Sequence, residues 1–130
     1  MGVKEGESSM LSVIESLRIP QKFKNKIEHD LEIILKADLA NLEQILLFGS
    51  CARESVTALS DVDLMVVTTT PIEERHVRYA LYDLVCDEWG GVESDLVFTT
   101  REARETSQSA FTRFTKEEAV ILWARGLVYD

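Results

Sequence analysis

Residues 45–67 read ILLFGSCARESVTALSDVDLMVV, in which two short apolar runs flank a small, polar segment. The first run, residues 45–48, stops at a glycine and predicts a buried strand, and residues 61–67 predict a second strand. The segment between them is expected to begin with a short helix from residue 50 to about residue 56. This stretch therefore predicts a strand, a glycine turn, a short helix and a second strand.

The rest of the chain is predicted to be mostly helical. Apolar residues recur there at spacings of three and four, and Thr70 followed by Pro71 is typical of a helix start. The predicted elements are helices at residues 9–18, 21 to about 40, 71 to about 88 and from a cap at Thr99 or Thr100 to near 126, and a strand at residues 91–98. The third of these helices is expected to bury Val77, Leu81, Leu84 and Val85. This order predicts a mixed α/β (α+β) fold, with one small mixed sheet flanked by helices.

Length and composition indicate a globular protein. The chain has 130 residues, of which 45% are hydrophobic and 28% charged, and such values are ordinary for one soluble domain. We expect a single domain over residues 1–130, with residues 1–8 as a flexible tail and residues 9–40 as N-terminal helices.

No apolar run approaches the ~20 residues that span a bilayer. No secretory leader is evident either, so a cytoplasmic location with reduced cysteines is expected.

The chain is acidic, with 14 Lys and Arg against 23 Asp and Glu and a net charge of −9. A protein that grips a long nucleic acid needs clustered basic residues to replace counterions, so long DNA or RNA is not the expected partner. The densest basic stretch contains Lys22, Lys24 and Lys26 and is followed at once by acidic residues. It is interpreted as the solvent-exposed face of a helix.

Asp61 and Asp63 are the leading candidates for chemistry. Side chains alternate along a strand, so these two carboxylates are expected on one face, while Val62 and Leu64 build the core on the other. Two carboxylates at this spacing can converge on a divalent cation, and Mg²⁺ prefers such oxygen ligands together with substrate phosphates. The alternative is that Asp61 caps a turn and Asp63 is merely exposed at a strand end.

Gly49 and Ser50 precede these aspartates and suit a phosphate site. Glycine lets the backbone approach a ligand closely, and the helix that follows would direct free N–H groups at a phosphate. Arg53, one turn further, could add a guanidinium. A plain strand-to-helix turn is the alternative for this segment taken alone.

Residues 47–67, LFGSCARESVTALSDVDLMVV, resemble the nucleotidyltransferases of the DNA polymerase beta superfamily, and most of all their minimal bacterial and archaeal branch. The resemblance rests on a Gly-Ser pair (Gly49, Ser50) followed by ten residues and then Asp-x-Asp (Asp61, Asp63) on the next strand. It implies a catalytic core over residues 43–130 that transfers a nucleoside monophosphate, with ATP the expected donor among the nucleoside triphosphates. Residues 119–129, AVILWARGLVY, resemble the closing helix and apolar tail of these proteins.

The resemblance also implies a third carboxylate on a neighbouring strand. Asp95 fits that place, and Glu93 is the alternative. Two Mg²⁺ ions, or Mn²⁺, are expected on the three carboxylates, with Asp95 also a candidate general base. The triphosphate is expected on Gly49, Ser50, Arg53 and Ser60. Two departures from the family pattern bear on activity: Cys51 replaces a common arginine, and Glu54 replaces a common glycine.

Three functions are compatible with this pattern. The resemblance implies first a nucleotidyltransferase that adds AMP to a small helical partner protein of HEPN type, as an antitoxin does. The second is nucleotidyl transfer to a small molecule such as an aminoglycoside, and the third is a non-catalytic nucleotide-binding subunit. A homo-oligomer is a further possibility, since little of the chain remains to bind an acceptor.

Overall fold

The computed structural model describes residues 12–126, so the predicted tail at residues 1–8 and the start of the first predicted helix lie outside the described residues. Residues 12–16 are helical. The elements that follow are α1 (Gln21–Lys36), β1 (Leu42–Phe48), α2 (Gly49–Ala52), β2 (Val62–Thr68), α3 (Arg75–Cys86), β3 (Ser94–Thr100), α4 (Arg101–Thr106), α5 (Ala110–Glu118) and β4 (Val120–Ala124). No helix among the described residues is long and apolar enough to cross a membrane.

The four strands form one mixed sheet in the order β3-β2-β1-β4. β1 pairs antiparallel with both β2 and β4, whereas β2 and β3 are parallel. The fold is therefore mixed α/β, as the sequence predicts. Parallel neighbours begin at the same edge of a sheet, and this places the starts of β2 and β3 side by side.

One face of the sheet carries the main hydrophobic core. Alternate residues of β1 and β2, such as Ile45, Leu47 and Leu64, point to this face and are fully buried. α1 covers it with Phe23, Ile27, Leu31 and Ile34, which recur at spacings of three and four as predicted. Among the described residues, the opposite face buries a smaller cluster of Leu46, Phe48, Met65 and Val67. The opposite face therefore has room for polar side chains at its edge.

Lys26 of α1 is fully buried, and the interpretation of Lys22, Lys24 and Lys26 as a solvent-exposed face is wrong for this residue. Its ammonium donates to Asp30 Oδ1 at 2.6 Å and to the Val85 carbonyl at 2.6 Å. Asp30 also accepts a hydrogen bond from the Ser94 hydroxyl at the start of β3. A buried charge persists only when it is paired and hydrogen-bonded, and this network supplies both.

α3 begins at Arg75, later than the predicted start at Pro71. The Asn41 side-chain amide donates to the Thr70 carbonyl at 2.6 Å and to its hydroxyl at 2.8 Å, so Thr70 is engaged with the β1 region and does not cap a helix. Of the four residues predicted to be buried here, Leu81 and Val85 are buried and Val77 is half-buried, but Leu84 is 59% exposed.

A tight turn at Gly90 and Gly91 shifts β3 along the chain relative to the prediction of residues 91–98. Both glycines have positive φ, at 62° and 84°, and Trp89 and Val92 exchange two backbone hydrogen bonds of 3.0 and 3.2 Å across them. β3 therefore begins only at Ser94. Gly91 belongs to the turn, since a side chain would be strained at its φ value.

The C-terminal part contradicts the prediction of one closing helical region. Thr100 caps α4 by accepting from the Ala103 N–H at 3.1 Å, as predicted, but α4 ends at Thr106 and Ser109 caps a second helix, α5. Residues 120–124 then form strand β4, and residues 127–130 lie outside the described residues. β1 needs a hydrogen-bonding partner on its free side, and the β-branched and aromatic residues of this segment suit a strand.

Candidate active site

Three strand ends bring the candidate residues together on the thinly covered face of the sheet. Phe48, the last residue of β1, pairs with Asp63, and Asp63 pairs in register with Asp95 on β3. Gly49 therefore lies directly beside Asp63. Glu93 lies outside β3 and contributes its backbone carbonyl to the Val62 N–H at 3.1 Å. Of the two candidate acids on this segment, Asp95 is the neighbour of Asp63.

The three aspartates differ in their surroundings. Asp63 is half-buried, whereas Asp61 and Asp95 are exposed. Burial raises the pKa of Asp63 to about 6, with the charges of Asp95 and Asp61 adding to the rise and that of Arg53 opposing it. The protein thus holds a carboxylate where its charge is disfavoured unless a cation is present.

This electrostatic strain predicts a pH dependence of stability. The folded-state pKa of Asp63, about 6, exceeds the ordinary value of 3.8. Stability associated with this group is therefore full below the unfolded pKa and is lost as the pH rises through the folded pKa. In EDTA, Asp63→Asn is expected to melt above the wild type at about pH 8 and to lose that advantage at about pH 4. Thermal unfolding at the two pH values tests this, and an equal difference at both would contradict it.

Gly49 is held in a conformation that only glycine adopts easily. Its φ is 74°, and a Cβ built on it would lie 2.2 Å from Asp63 Oδ2. No side chain fits there without moving the carboxylate. The absence of a side chain at Gly49 therefore allows Asp63 to sit against the backbone.

Gly49→Ala is expected to damage both the fold and the site. The positive φ alone costs roughly 1–2 kcal/mol for a residue with a Cβ, and the clash displaces Asp63 as well. We expect a lower melting temperature and loss of the function that depends on Asp63. As a control, Gly91→Ala meets an unfavourable φ of 84° but no atom within 4 Å. The control should therefore be destabilised without a defect at the site, and equal functional loss in both variants would argue against this role of Gly49.

The predicted phosphate donors already have a partner in the protein. The Gly49 N–H donates to Glu118 Oε1 at 3.2 Å, and Arg53 Nη1 donates to Glu118 Oε2 at 2.9 Å. Sequence reasoning missed Glu118, which lies 65 residues after Arg53 at the end of α5. No local pattern indicates an acid at that distance. α2 has only four residues, so individual donors matter here more than a helix dipole.

The other two residues predicted to bind phosphate are Ser50 and Ser60. Ser50 lies in α2, half-buried, between Gly49 and the buried Cys51. Ser60 closes its own loop, where its hydroxyl accepts from the Thr57 N–H at 2.8 Å. Ser60 immediately precedes Asp61, and its hydroxyl supports the turn before β2 by accepting this hydrogen bond.

The two departures from the family pattern have structural roles. Cys51 is fully buried and its thiol contacts the Asp61 carbonyl at 3.7 Å. Burial raises the pKa of the Cys51 thiol to about 12, so it is a core thiol beneath the site. The Glu54 carboxylate accepts a hydrogen bond from the Arg18 backbone N–H and is thereby held by the N-terminal segment.

Two side chains of α3 lie against Asp95. Tyr82 lies beside Cys86 and the Asp95 carboxylate, and its interactions with Cys86 first and with Asp95 second raise the pKa of the tyrosine. Burial raises the pKa of Cys86 to about 11. Tyr82 is 42% exposed, although its apolar neighbours in the sequence predict a core residue. It lies beside Asp95, on the β3 side of the site.

A metal ion fits this donor set on chemical grounds. Within residues 12–126, no three His, Cys, Asp or Glu side chains converge closely enough to hold an ion by themselves. Mg²⁺, however, is usually bound by one or two carboxylates, with water and substrate phosphates as the other ligands. The paired Asp63 and Asp95, with Asp61 beside them, offer such a partial set. The disfavoured charge of Asp63 is what a cation would neutralise.

Comparison with known proteins gives a consistent picture. The family described as nucleotidyltransferase domain matches residues 30–122. The fold resembles that of a candidate nucleotidyltransferase from Sulfolobus solfataricus, with a TM-score of 0.55 and 17% identity over 85% of this chain and 94% of the other. It also resembles a toxin–antitoxin protein solved with AMP-PNP, with a TM-score of 0.56 and 20% identity over 78% of this chain and 73% of the other. A mutant MntA–HpeT toxin–antitoxin structure has a TM-score of 0.52 and 18% identity over 75% of this chain and 74% of the other. No curated protein is a significant match.

Proposed function

Because this chain belongs to the nucleotidyltransferase domain family, we propose that it moves AMP from ATP to a hydroxyl group of a partner protein. The observation that carries the proposal is the pairing of Asp63 with Asp95 in register. This pair lies beside the N–H groups of Gly49 and Arg53, which donate hydrogen bonds to an anionic group. Carboxylates that could hold a cation thus lie beside N–H groups that could hold a phosphate. This arrangement suits phosphoryl-group chemistry, in which catalysis is mostly positioning and charge neutralisation.

Each residue has a task in the proposed reaction. Asp61, Asp63 and Asp95 would hold two Mg²⁺ or Mn²⁺ ions, which when bound neutralise phosphate charge and lower the pKa of the attacking hydroxyl. Arg53 and the Gly49 N–H bind the terminal phosphates and orient pyrophosphate for departure, and the Ser50 and Ser60 hydroxyls are proposed as further donors to the triphosphate. Asp95 accepts the proton of the acceptor hydroxyl as it attacks the α-phosphorus.

The proposed acceptor is a HEPN-type helical protein, as in an antitoxin that modifies its toxin. Support comes from the fold, which is shared with proteins solved in toxin–antitoxin structures. The net charge of −9 disfavours long RNA or DNA as acceptor. The cytoplasm, where ATP and such partners occur, is the proposed location.

The test is transfer of label from α-labelled ATP with Mg²⁺. The chain is incubated alone, with lysate of its own host and with an aminoglycoside, beside an Asp61→Asn/Asp63→Asn control. A labelled protein band that is absent from the control supports the proposal and gives the size of the acceptor. A labelled aminoglycoside supports small-molecule transfer instead. No transfer from any of the four nucleotides, although nucleotide still binds, supports the non-catalytic nucleotide-binding subunit instead. Absence of both transfer and binding contradicts all three functions.

A further inference from the structure

The Glu118 carboxylate accepts hydrogen bonds from the two groups that are proposed to bind the terminal phosphates of the nucleotide. Its two oxygens accept from the Gly49 N–H at 3.2 Å and from Arg53 Nη1 at 2.9 Å. The Glu118 side chain is 19% exposed and that of Arg53 is 52% exposed. Glu118 is thus the more buried partner. It lies at the end of α5, just before β4, beside the Gly49 N–H and the Arg53 guanidinium, which together are called the cradle.

The same donors cannot serve Glu118 and a terminal phosphate fully at once. The Gly49 backbone offers one N–H only. Arg53 has further donors, but a carboxylate at hydrogen-bonding distance repels an incoming phosphate in this partly shielded setting. Asp61, Asp63 and Asp95 add negative charge nearby. Binding of a triphosphate therefore requires Glu118 to leave these donors.

We infer that Glu118 is an affinity-setting residue of the nucleotide site, a resident anion that holds Gly49 and Arg53 until a metal-bound triphosphate displaces it. The inference rests on the proposed function for the identity of the ligand. It assigns Glu118 a part in nucleotide binding but none in the chemical step. Its removal is expected to favour binding, in contrast to removal of a residue that orients Arg53 for catalysis.

Isothermal titration with two probes tests the inference. The probes are the α,β-methylene analogue of ATP and inorganic tripolyphosphate, each with Mg²⁺. Glu118→Gln is expected to tighten both by about three- to tenfold, the effect of losing one partly exposed charge contact. Glu117→Gln is the matched control, because it removes the same charge from an exposed neighbour that does not contact the cradle. The control should change affinity less than about twofold.

A second background shows whether the effect acts through the cradle. In Arg53→Gln, the gain from Glu118→Gln should shrink, because the donor that Glu118 releases is no longer there. Equal or weaker binding by Glu118→Gln overturns the inference and makes Glu118 a support for Arg53. Absence of binding in every variant overturns both this inference and the proposed function. If Glu118→Gln binds tripolyphosphate more tightly but the protein transfers no label, the proposed function is rejected and the inference about Glu118 stands.

Discussion

Asp63→Asn is expected to lower nucleotidyl transfer by at least about a hundredfold, as removal of a single preorganised charged or polar group from a transition-state site does. Asp63 is half-buried between Asp95 and the Gly49 backbone. An amide keeps the shape but halves the acceptor capacity and removes the charge that a divalent ion needs. The rate of label transfer, measured at saturating ATP and Mg²⁺, gives the comparison.

The neighbouring acids provide graded controls for this prediction. Asp95→Asn should lower transfer strongly, because Asp95 pairs with Asp63, and Asp61→Asn should do so as a second ligand. Glu93→Gln should keep wild-type rates, since Glu93 contributes through its backbone carbonyl. Melting temperatures should show that each variant is folded. Wild-type rates in Asp63→Asn, or a severe loss in Glu93→Gln alone, would require a different set of ligands.

Local patterns in the sequence predict the centre of the fold and the placement of Gly49 and Asp63 within it. The apolar runs at β1 and β2, the glycine between them and the alternation around Asp63 depend on neighbouring residues only. These signals place Asp63 opposite the core and Gly49 beside a turn, as the structure has them. The placement of Asp95 beside Asp63 required knowledge of which strands are adjacent. That information came from the family resemblance, because no local pattern contains it.

Features that depend on residues far apart in the sequence were not predicted. β4 is a strand because it completes β1, and its sequence alone is equally compatible with a core helix. Glu118 meets Gly49 and Arg53 only because α5 returns to the end of β1. Lys26 looks like a surface residue in a charged stretch, and its burial follows from α3 supplying the Val85 carbonyl. Tertiary contacts decide such cases, whatever the local composition.

The fold should depend strongly on the buried pair of Lys26 and Asp30, whose side chains are both 0% exposed. Lys26→Met removes the cation and leaves an uncompensated carboxylate in the core, although burial already raises the pKa of Asp30. Loss of one partner of a buried ion pair costs about 3–5 kcal/mol. That is a large part of the roughly 5–15 kcal/mol by which small domains are stable. Urea unfolding followed by circular dichroism measures the change.

Lys36 provides the matched control for this prediction. It forms an ion pair with Glu32 at 2.7 Å and the same i, i+4 spacing in the same helix, but the two side chains are 75% and 65% exposed. Lys36→Met should therefore cost less than about 1 kcal/mol. Adding Asp30→Asn to Lys26→Met should recover part of the loss, because the stranded charge is removed while Ser94 keeps an acceptor. A Lys26→Met protein as stable as the Lys36→Met protein would mean that burial of the pair contributes nothing to the fold.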